Sequence, residues 1–599
     1  MSILQALDGY YDRMAARNEV EPPGYSREKI SFAIVISAQG EPVAVRDLRQ
    51  QNCKKLLPRQ ISVPAAVKRT VGIMPNLFWD KSAYILGRTL GTGKRTADEH
   101  AAFKKMHFGL LADANDPGLV ALRRFLEQWK PDRFDTPPFV TDMLDANLVF
   151  RLDGDEGLLH ERDAAHALVA AAAETEGETA FCLVTGRRAP IRRLHPSIKN
   201  VDGAQSSGAA LVSFNLDAFT SYGKEQGDNA PTGEAAAFRY GEALNRLLDR
   251  SSRNRIKIGD ATVVFWAETS ETVKEKQAAA AEDFMASFFV MASRESNDED
   301  EQEAAKLNDA LQSLRKGRPV EALGPNLKSG TRFHILGLSP NAARLSVRFW
   351  LTDDFSAFAR RLADHAADLE LQPKPFGWGA KPPSIQRLLV KTTALMEKFE
   401  NIPPLLAGEV TRAVLTGARY PQSFFAASVM RLRAGDDASN GWHAAVIKAV
   451  LARDLRSKFA KEEIPVSLDR DNPNQAYQLG RLFAAVETAQ RAALGKVNAT
   501  IRDRYFGAAS ATPAAVFPIL IRGVQNHLGK LRKSGKGIWL EREIEEITSQ
   551  LAPQFPRALK LEEQGRFALG YYHQRRGQFT TKEAEAEIES LENQGNQDV

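Results

Sequence analysis

The chain has 599 residues, 43% hydrophobic and 26% charged, with a formal net charge of +5 and two cysteines. That balance excludes a disordered chain, a collagen-like fibre and a disulfide-stapled scaffold. The length exceeds what one hydrophobic core fills, so several domains are expected.

The N-terminal stretch MSILQALDGYYDRMAARNE places Asp8 and Asp12 where a signal peptide needs an unbroken apolar core. Leu4, Leu7, Tyr11 and Met14 recur at helical spacing, which predicts a short amphipathic helix. Residues 30–36 (ISFAIVI) read as a buried strand closed by the Gly40-Glu41-Pro42 turn. Residues 46–105 form a basic field of thirteen Lys/Arg against four acids, and mostly helical segments are expected after it to about 175. The alanine-rich stretch 164–173 is interrupted by His166, and no apolar run approaches a membrane span. A cytoplasmic protein with no membrane contact is expected, its Cys53 and Cys182 reduced and buried.

The middle third reads as α+β. Strands are expected at 181–185, 210–214, 261–266, 334–338 and 344–350, with a helix over 234–248. Residues 295–303, six acids in nine, read as an exposed linker or helix surface. From about 355 the pattern is helical almost throughout, with Pro/Gly breaks near 373–383, 402–408, 465–473 and 534–537. The expected fold is therefore α+β and multi-domain, with mixed N-terminal and middle regions followed by a C-terminal α-helical bundle. The domains are placed at 1–180, 181–355, 356–465 (a helical connector) and 466–599.

No constellation makes a positive case for catalysis. Residues 90–96 (LGTGKRT) fall short of a phosphate-binding P-loop: Arg88 stands where its first glycine belongs and Arg95 where the magnesium-binding Ser/Thr belongs. They read as a flexible basic loop. His160 and His166 are six apart, which does not fit a zinc-protease helix. No metal site or cofactor is expected.

Basic segments are more informative. Besides the first field, residues 186–199 (GRRAPIRRLHPSIK) carry Arg187, Arg188, Arg192, Arg193 and Lys199 with no acid, and the prolines suggest an extended loop suited either to phosphates or to solvent. Residues 491–536 hold nine Lys/Arg against Asp503 alone, a field that suits a phosphate track for a single strand. Tyr505 and Phe506 within it could stack on bases or pack a helix. The first field mixes cations with the amides Gln51, Asn52, Gln60 and Asn76 and the aromatics Phe78, Trp79 and Tyr84. Cations fix a duplex by its phosphates while amides and apolar wedges read base edges, so this mixture favours duplex reading.

Several strings occur in order along nearly the whole chain: PNLFWDKSAYILG (75–87), LVSFNLDAFTSYGKEQGDNAP (211–231), GDATVVFWAE (259–268), HILGLSPNAARLSVRFW (334–350), YPQSFFAASVMRLRAG (420–435), NPNQAYQLGRLFAAVETAQ (472–490), NATIRDRYFGAASATPAAVFP (498–518) and LEEQGRFALGYYHQRR (561–576). Together they resemble the large-subunit family of the type I-C CRISPR Cascade, the crRNA-guided surveillance complex.

The resemblance implies a non-catalytic subunit that holds the crRNA 5′ end region, recognises the protospacer-adjacent motif (PAM) in double-stranded target DNA and promotes R-loop formation. It also implies recruitment of a separate helicase-nuclease, and contact with the backbone and crRNA-processing subunits of Cascade. Base pairing with the guide reads the remaining sequence. By the same resemblance Asn76 is the expected PAM contact, with Lys54, Lys55, Arg59, Lys68, Arg69 and Lys81 around the duplex; family members often carry Asn where this chain has Lys81. Arg187, Arg188, Arg192 and Arg193 form an expected nucleic-acid loop, and Arg502, Arg504, Lys530, Arg532 and Lys533 are expected to hold the non-target strand. The C-terminal bundle resembles the Cascade small subunit, which the family also implies as a separate product of an internal translation start; no Met follows Met430, and Val466 is a candidate start codon position. Two other classes stay open: a stand-alone metal-dependent nuclease using Asp202, Asp217 and Asp260, and a pure assembly scaffold.

Overall fold

A computed structural model describes residues 1–577 except 18, 23, 53–54, 68, 70–71, 174–178, 215, 270–273, 290–297, 380–381, 397, 496–497 and 535–536. The fold is α+β, about 51% helical and 15% strand, with a helical C-terminal region. It divides into two compact units, Met1–Ile198 with Ala210–Arg246, and Lys199–Ala209 with Leu247–Val599.

In the first unit, Ser2 opens the helix Ile3–Ala15 with a capping box: its hydroxyl accepts the Gln5 N–H, and the Gln5 side chain accepts the Ser2 N–H. The helix buries Leu7, Tyr11 and Met14, as its spacing predicts. Phe32–Ile36 is buried at every position and lies inside a four-stranded sheet ordered Pro42–Asp47, Phe32–Ile36, Asn147–Leu152, Asp80–Lys81. It runs antiparallel to Pro42–Asp47 and parallel to Asn147–Leu152. A parallel pair needs a crossover, and the helices Thr96–Leu110 and Pro117–Gln128 supply it. Ile34, Ile36, Phe103, Leu122, Phe125 and Phe150 form the core between them.

Several expectations are corrected in this unit. The single strand foreseen over 30–36 is two, Tyr25–Ile30 on Arg59–Pro64 and then Phe32–Ile36, because the chain changes partner at Ser31. Asn147–Leu152 is a strand inside the stretch read as mostly helical; its apolar run is too short to show a period. The expected strand at 181–185 is also displaced. Thr179–Phe181 pairs with Arg188–Pro190, and the chain turns between them, where Gly186 takes the left-handed φ of 69°. The segment read as an extended arginine loop is thus partly a hairpin. Residues 211–214 lie outside any strand.

The second unit contains the antiparallel ladder Arg255–Ile258, Ala261–Ala267, Arg332–Asn341, Arg344–Asp354, which includes three expected strands. The acidic run meets the described residues at the helix Asp298–Arg315; residues 290–297 lie outside them. Beyond Phe355 the described chain is helical apart from connections, as expected. No helix among the described residues is long and apolar enough to cross a membrane.

Two helices, Gln475–Leu494 and Leu561–Gly577, hold the C-terminal region together. They touch backbone to backbone: a Cβ on Gly480 would lie 2.0 Å from the Phe567 carbonyl oxygen, and one on Gly570 would lie 2.0 Å from that of Tyr477. Around this contact Arg481 donates to Gln574 at 2.8 Å, Tyr571 donates to Glu487 at 2.6 Å, and Tyr477 pairs with His573 at 2.9 Å. Gly480→Ala is expected to destabilise by about 1–3 kcal/mol or more through overpacking. In a free helix the same change stabilises by up to about 1 kcal/mol. Chemical denaturation therefore reads the contact from the sign alone.

Candidate nucleic-acid interface

The motif PNLFWDKS folds around one carboxylate. Asp80 is 1% exposed, and its Oδ2 accepts the Asn76 N–H at 2.8 Å and the Arg69 Nη2 at 2.5 Å, while Oδ1 accepts the Lys81 N–H at 2.8 Å. Burial pushes this carboxyl above the ordinary range, with the backbone donors and Arg69 working against that shift. Arg69 also donates to the Met74 carbonyl at 2.7 Å and lies 4.1 Å over the Tyr84 ring. Phe78 takes a left-handed φ of 62°, and its N–H donates to His107 Nε2 at 3.0 Å. His107 Nδ1 faces the Phe103 carbonyl at 2.9 Å, so the ring is held neutral with its proton on Nδ1.

Above this frame opens a cleft of about 460 Å³ lined by Arg69, Lys81, Tyr84, Thr89, Arg95, Glu99 and Asp145 among others. Thr89 immediately precedes the segment 90–96 read as a flexible loop, and Arg95 lies within it. Its entry is pinned: Thr89 Oγ1 donates to Asp145 at 2.5 Å, the Leu90 N–H donates to the same carboxylate at 3.3 Å, and Arg88 pairs with Asp135 at 2.7 Å. Three cations from separate stretches thus share one wall system. Two of its acids are partly committed, Asp145 to the loop and Glu99 to the first turn of Thr96–Leu110. The arrangement suits an anionic, polar ligand such as a phosphate backbone.

The residues expected at a duplex are distributed as follows. Arg69 and Lys81 line the cleft. Asn76 is 4% exposed, and its Oδ1 accepts the Val67 N–H at 2.9 Å, so this side chain is committed to the Val67 backbone. Arg59 is exposed on Arg59–Pro64 opposite Ile30. Lys55 stands in the short strand Lys55–Leu57. Lys54 and Lys68, like Cys53, lie outside the described residues. The aromatics Phe78, Trp79 and Tyr84 are core residues, with Trp79 donating to the Pro64 carbonyl at 2.7 Å. Sequence reasoning missed Thr89 and Arg95, whose signal was the placement of LGTGKRT just before a helix within the basic field.

In the arginine hairpin Arg187, Arg188, Arg192 and Arg193 are all exposed; Arg192 lies 3.7 Å from Glu234 and Arg193 donates to Gln226. In the C-terminal field the cations separate by partner. Arg502 pairs with Asp437 and lies 3.4 Å from Asp503, and Arg532 pairs with Glu541 at 2.5 Å. Arg504, Lys530 and Lys533 are exposed, as is Arg522; Lys496 and Lys536 lie outside the described residues. The helix Pro513–Lys533 buries Val516, Phe517, Leu520, Val524, Leu528 and Leu531. Its opposite face carries Arg522, Asn526, Lys530 and Lys533 at spacings of three and four, a polar stripe of about 16 Å. Phe506 is buried edge-on against Phe483, Phe567 and Tyr571, the helix-packing alternative.

Among the described residues no group of three or more His, Cys, Asp or Glu is placed to hold a metal ion. Asp202 pairs with Arg255 at 2.7 Å and Asp260 with Arg348 at 2.6 Å; Asp217 opens a 3₁₀ turn.

The model of the CRISPR-associated protein (Cas_Csd1) family matches residues 7–579 of the chain. No curated protein matches the chain.

Asp80→Ala removes the acceptor of two backbone donors and one guanidinium, and is expected to cost about 3 kcal/mol by thermal or chemical unfolding. His107 gives a pH signature. Burial lowers its pKa from 6.5 to about 4, so the unfolded chain takes up its proton first as pH falls. Stability present above pH 6.5 is therefore lost between about 6.5 and about 4, by roughly 3 kcal/mol for this group. His107→Gln should flatten part of that slope, with His160 and His195, also held near 4, supplying the remainder in the same unit.

Proposed function

Because the chain belongs to the Cas_Csd1 family of CRISPR-associated proteins, we propose that it is the large subunit of a type I-C Cascade, a cytoplasmic crRNA-guided complex. In this reading it recognises the PAM in duplex DNA, promotes R-loop formation, holds the non-target strand and recruits a separate helicase-nuclease. It cuts nothing itself; the pairing of Asp202 and Asp260 with arginines supports a structural role for both. Its partners are the crRNA, the target duplex and the backbone and crRNA-processing subunits, with no cofactor of its own.

The observation that carries the reading is the cleft in which Arg69, Lys81 and Arg95 converge on a frame held by Asp80. Lys81 and Arg95 take duplex phosphates, while Arg69 couples the cleft to the frame. Asn76 acts as a positioning residue from below, through its bond to Val67. The stripe Arg522, Lys530, Lys533, with Arg504 on the preceding helix Ile501–Ala511, takes the displaced strand. Arg502 and Arg532, already paired with Asp437 and Glu541, set the geometry of those helices.

The second product from an internal start at Val466 belongs to this proposal. Its helices share a core with upstream ones: a Cβ on Gly565 would meet Phe425 at 2.4 Å and Ile447 at 3.0 Å. A separate product therefore exposes this face and needs a partner to cover it. Intact mass of a purified complex should show an additional subunit of C-terminal sequence; its absence argues against the internal start.

The two basic surfaces predict separable losses in the reconstituted complex. Lys81→Glu/Arg95→Glu should weaken binding to a matched-PAM duplex by roughly 10-fold or more and lower the salt slope by about 2. Arg522→Glu/Lys530→Glu/Lys533→Glu should spare that initial binding and reduce duplex opening, read by reactivity of unpaired thymines. Equal losses from both sets contradict the assignment. Full discrimination between matched and scrambled PAM in a complex lacking this chain would make it a scaffold.

A further inference from the structure

The motif LVSFNLDAFTSYGKEQGDNAP leaves one large side chain almost wholly in solvent: Tyr222 is 99% exposed. Its backbone is not loose. Ser221 and Lys224 form an antiparallel bridge, the Lys224 N–H donating to the Ser221 carbonyl at 3.0 Å. Between them Tyr222 and Gly223 take φ of 53° and 70°, the left-handed pair of a primed hairpin turn. Glycine adopts that conformation freely and tyrosine does not, so the ring is held at this tip against its own backbone preference.

The turn is fastened from below. Asn229 Oδ1 accepts the Ser221 N–H at 3.2 Å, and its Nδ2 donates to the carbonyls of Lys224 and Gln226 at 3.0 and 3.2 Å. A Cβ on Gly227 would lie 2.3 Å from the Arg192 carbonyl oxygen, so the loop is seated on the backbone of the arginine hairpin. Gln226 Oε1 accepts Arg193 Nε at 2.5 Å, Ile191 bridges Gly233, and the Arg192 N–H donates to the Thr232 carbonyl. On the same hairpin the Arg188 guanidinium lies 5.5 Å over the Phe181 ring, itself 65% exposed. Two segments separate in sequence thus form one rigid, solvent-facing platform.

Its chemistry selects the ligand. Residues 181–193 carry four arginines and no acid. Arg187, Arg188, Arg193 and Lys224 have no acidic partner among the described residues, whereas Arg192 faces Glu234. The acids of the platform, Asp217, Glu225 and Asp228, lie on the Tyr222 loop, which directs an anion toward the arginine side. The tip stands on a loop fastened to the hairpin whose Arg187, Arg188 and Arg193 are exposed, and guanidinium groups favour both phosphates and base planes. Bases stacked inside a duplex offer no free face. We propose that Tyr222 is a stacking platform for an unpaired nucleobase, with Arg188, Arg193 and Lys224 taking its flanking phosphates. The proposal rests on the nucleic-acid reading above and adds a single-strand site in the first unit. The unpaired base can come from the guide RNA or from an opened DNA strand.

The test uses the full-length chain with a single-stranded RNA oligonucleotide, a DNA oligonucleotide of the same sequence, and the target duplex. Tyr222→Ala should weaken at least one single strand by roughly 10-fold, the usual scale for one stacked base, with an unchanged salt slope. Tyr222→Phe should keep the wild-type affinity, and duplex binding should not change. Arg188→Ala/Arg193→Ala should lower the single-strand salt slope by about 2. An effect confined to RNA identifies the guide as the source, one confined to DNA the opened strand, and either supports the site. Wild-type binding of both oligonucleotides by Tyr222→Ala overturns it, as does loss of a protein subunit from the complex with both oligonucleotides still bound. If the wild-type chain ignores the PAM while the Tyr222 effect holds, the PAM reading falls and this site stands.

Discussion

The candidate duplex surface depends on a buried carboxylate that faces no solvent. Asp80 gathers the Asn76 and Lys81 amides and the Arg69 guanidinium, and through them fixes the backbone at Asn76, the start of the helix Ser82–Ile85 and one wall of the cleft. A charge 1% exposed is tolerable only because three donors converge on it. The same economy recurs at His107, whose neutral ring satisfies the amide of a left-handed Phe78. The motif is therefore an internal scaffold first, and its outward face carries the cations that remain available.

Pairing decides which cations those are. Charge alone cannot separate Arg502 from Arg504, or Arg532 from Lys533, yet the first of each pair is engaged by an acid and the second has no ion pair among the described residues. An arginine already bound to a carboxylate gives up that interaction to take a phosphate, whereas an exposed one releases only counterions. The helix Pro513–Lys533 shows how a fold presents such groups: Pro513 and the six apolar residues named above are buried on one face, and the stripe Arg522, Asn526, Lys530 and Lys533 follows from helical geometry on the other.

Much of the fold was legible because its signals are local. Ala261–Ala267 and Arg332–Asn341 declare themselves by aromatic and β-branched runs, and the N-terminal helix by its apolar spacing. Asn147–Leu152 was not legible: its strand character comes from a parallel partner more than a hundred residues away. The candidate surfaces divide in the same way. Arg69 and Lys81 could be picked out as cations, but their meeting with Thr89 and Arg95 depends on Asp80 and Asp145, contacts without a sequence period. Asn76, Phe78 and Trp79 carry the residue types of a base-reading surface, and their burial follows from tertiary packing that composition does not reveal.

In the proposed function a duplex-binding cleft and a strand-binding helix face divide the labour. The most direct measurement is site-specific photocrosslinking from positions 81 and 530 in the assembled complex, on a target duplex with each strand labelled. Crosslinks from position 81 to the PAM-bearing duplex are expected with or without a matching guide. Crosslinks from position 530 to the displaced strand are expected only when the guide matches. Crosslinks from both positions to the same strand regardless of guide, or from neither, would contradict that division of labour.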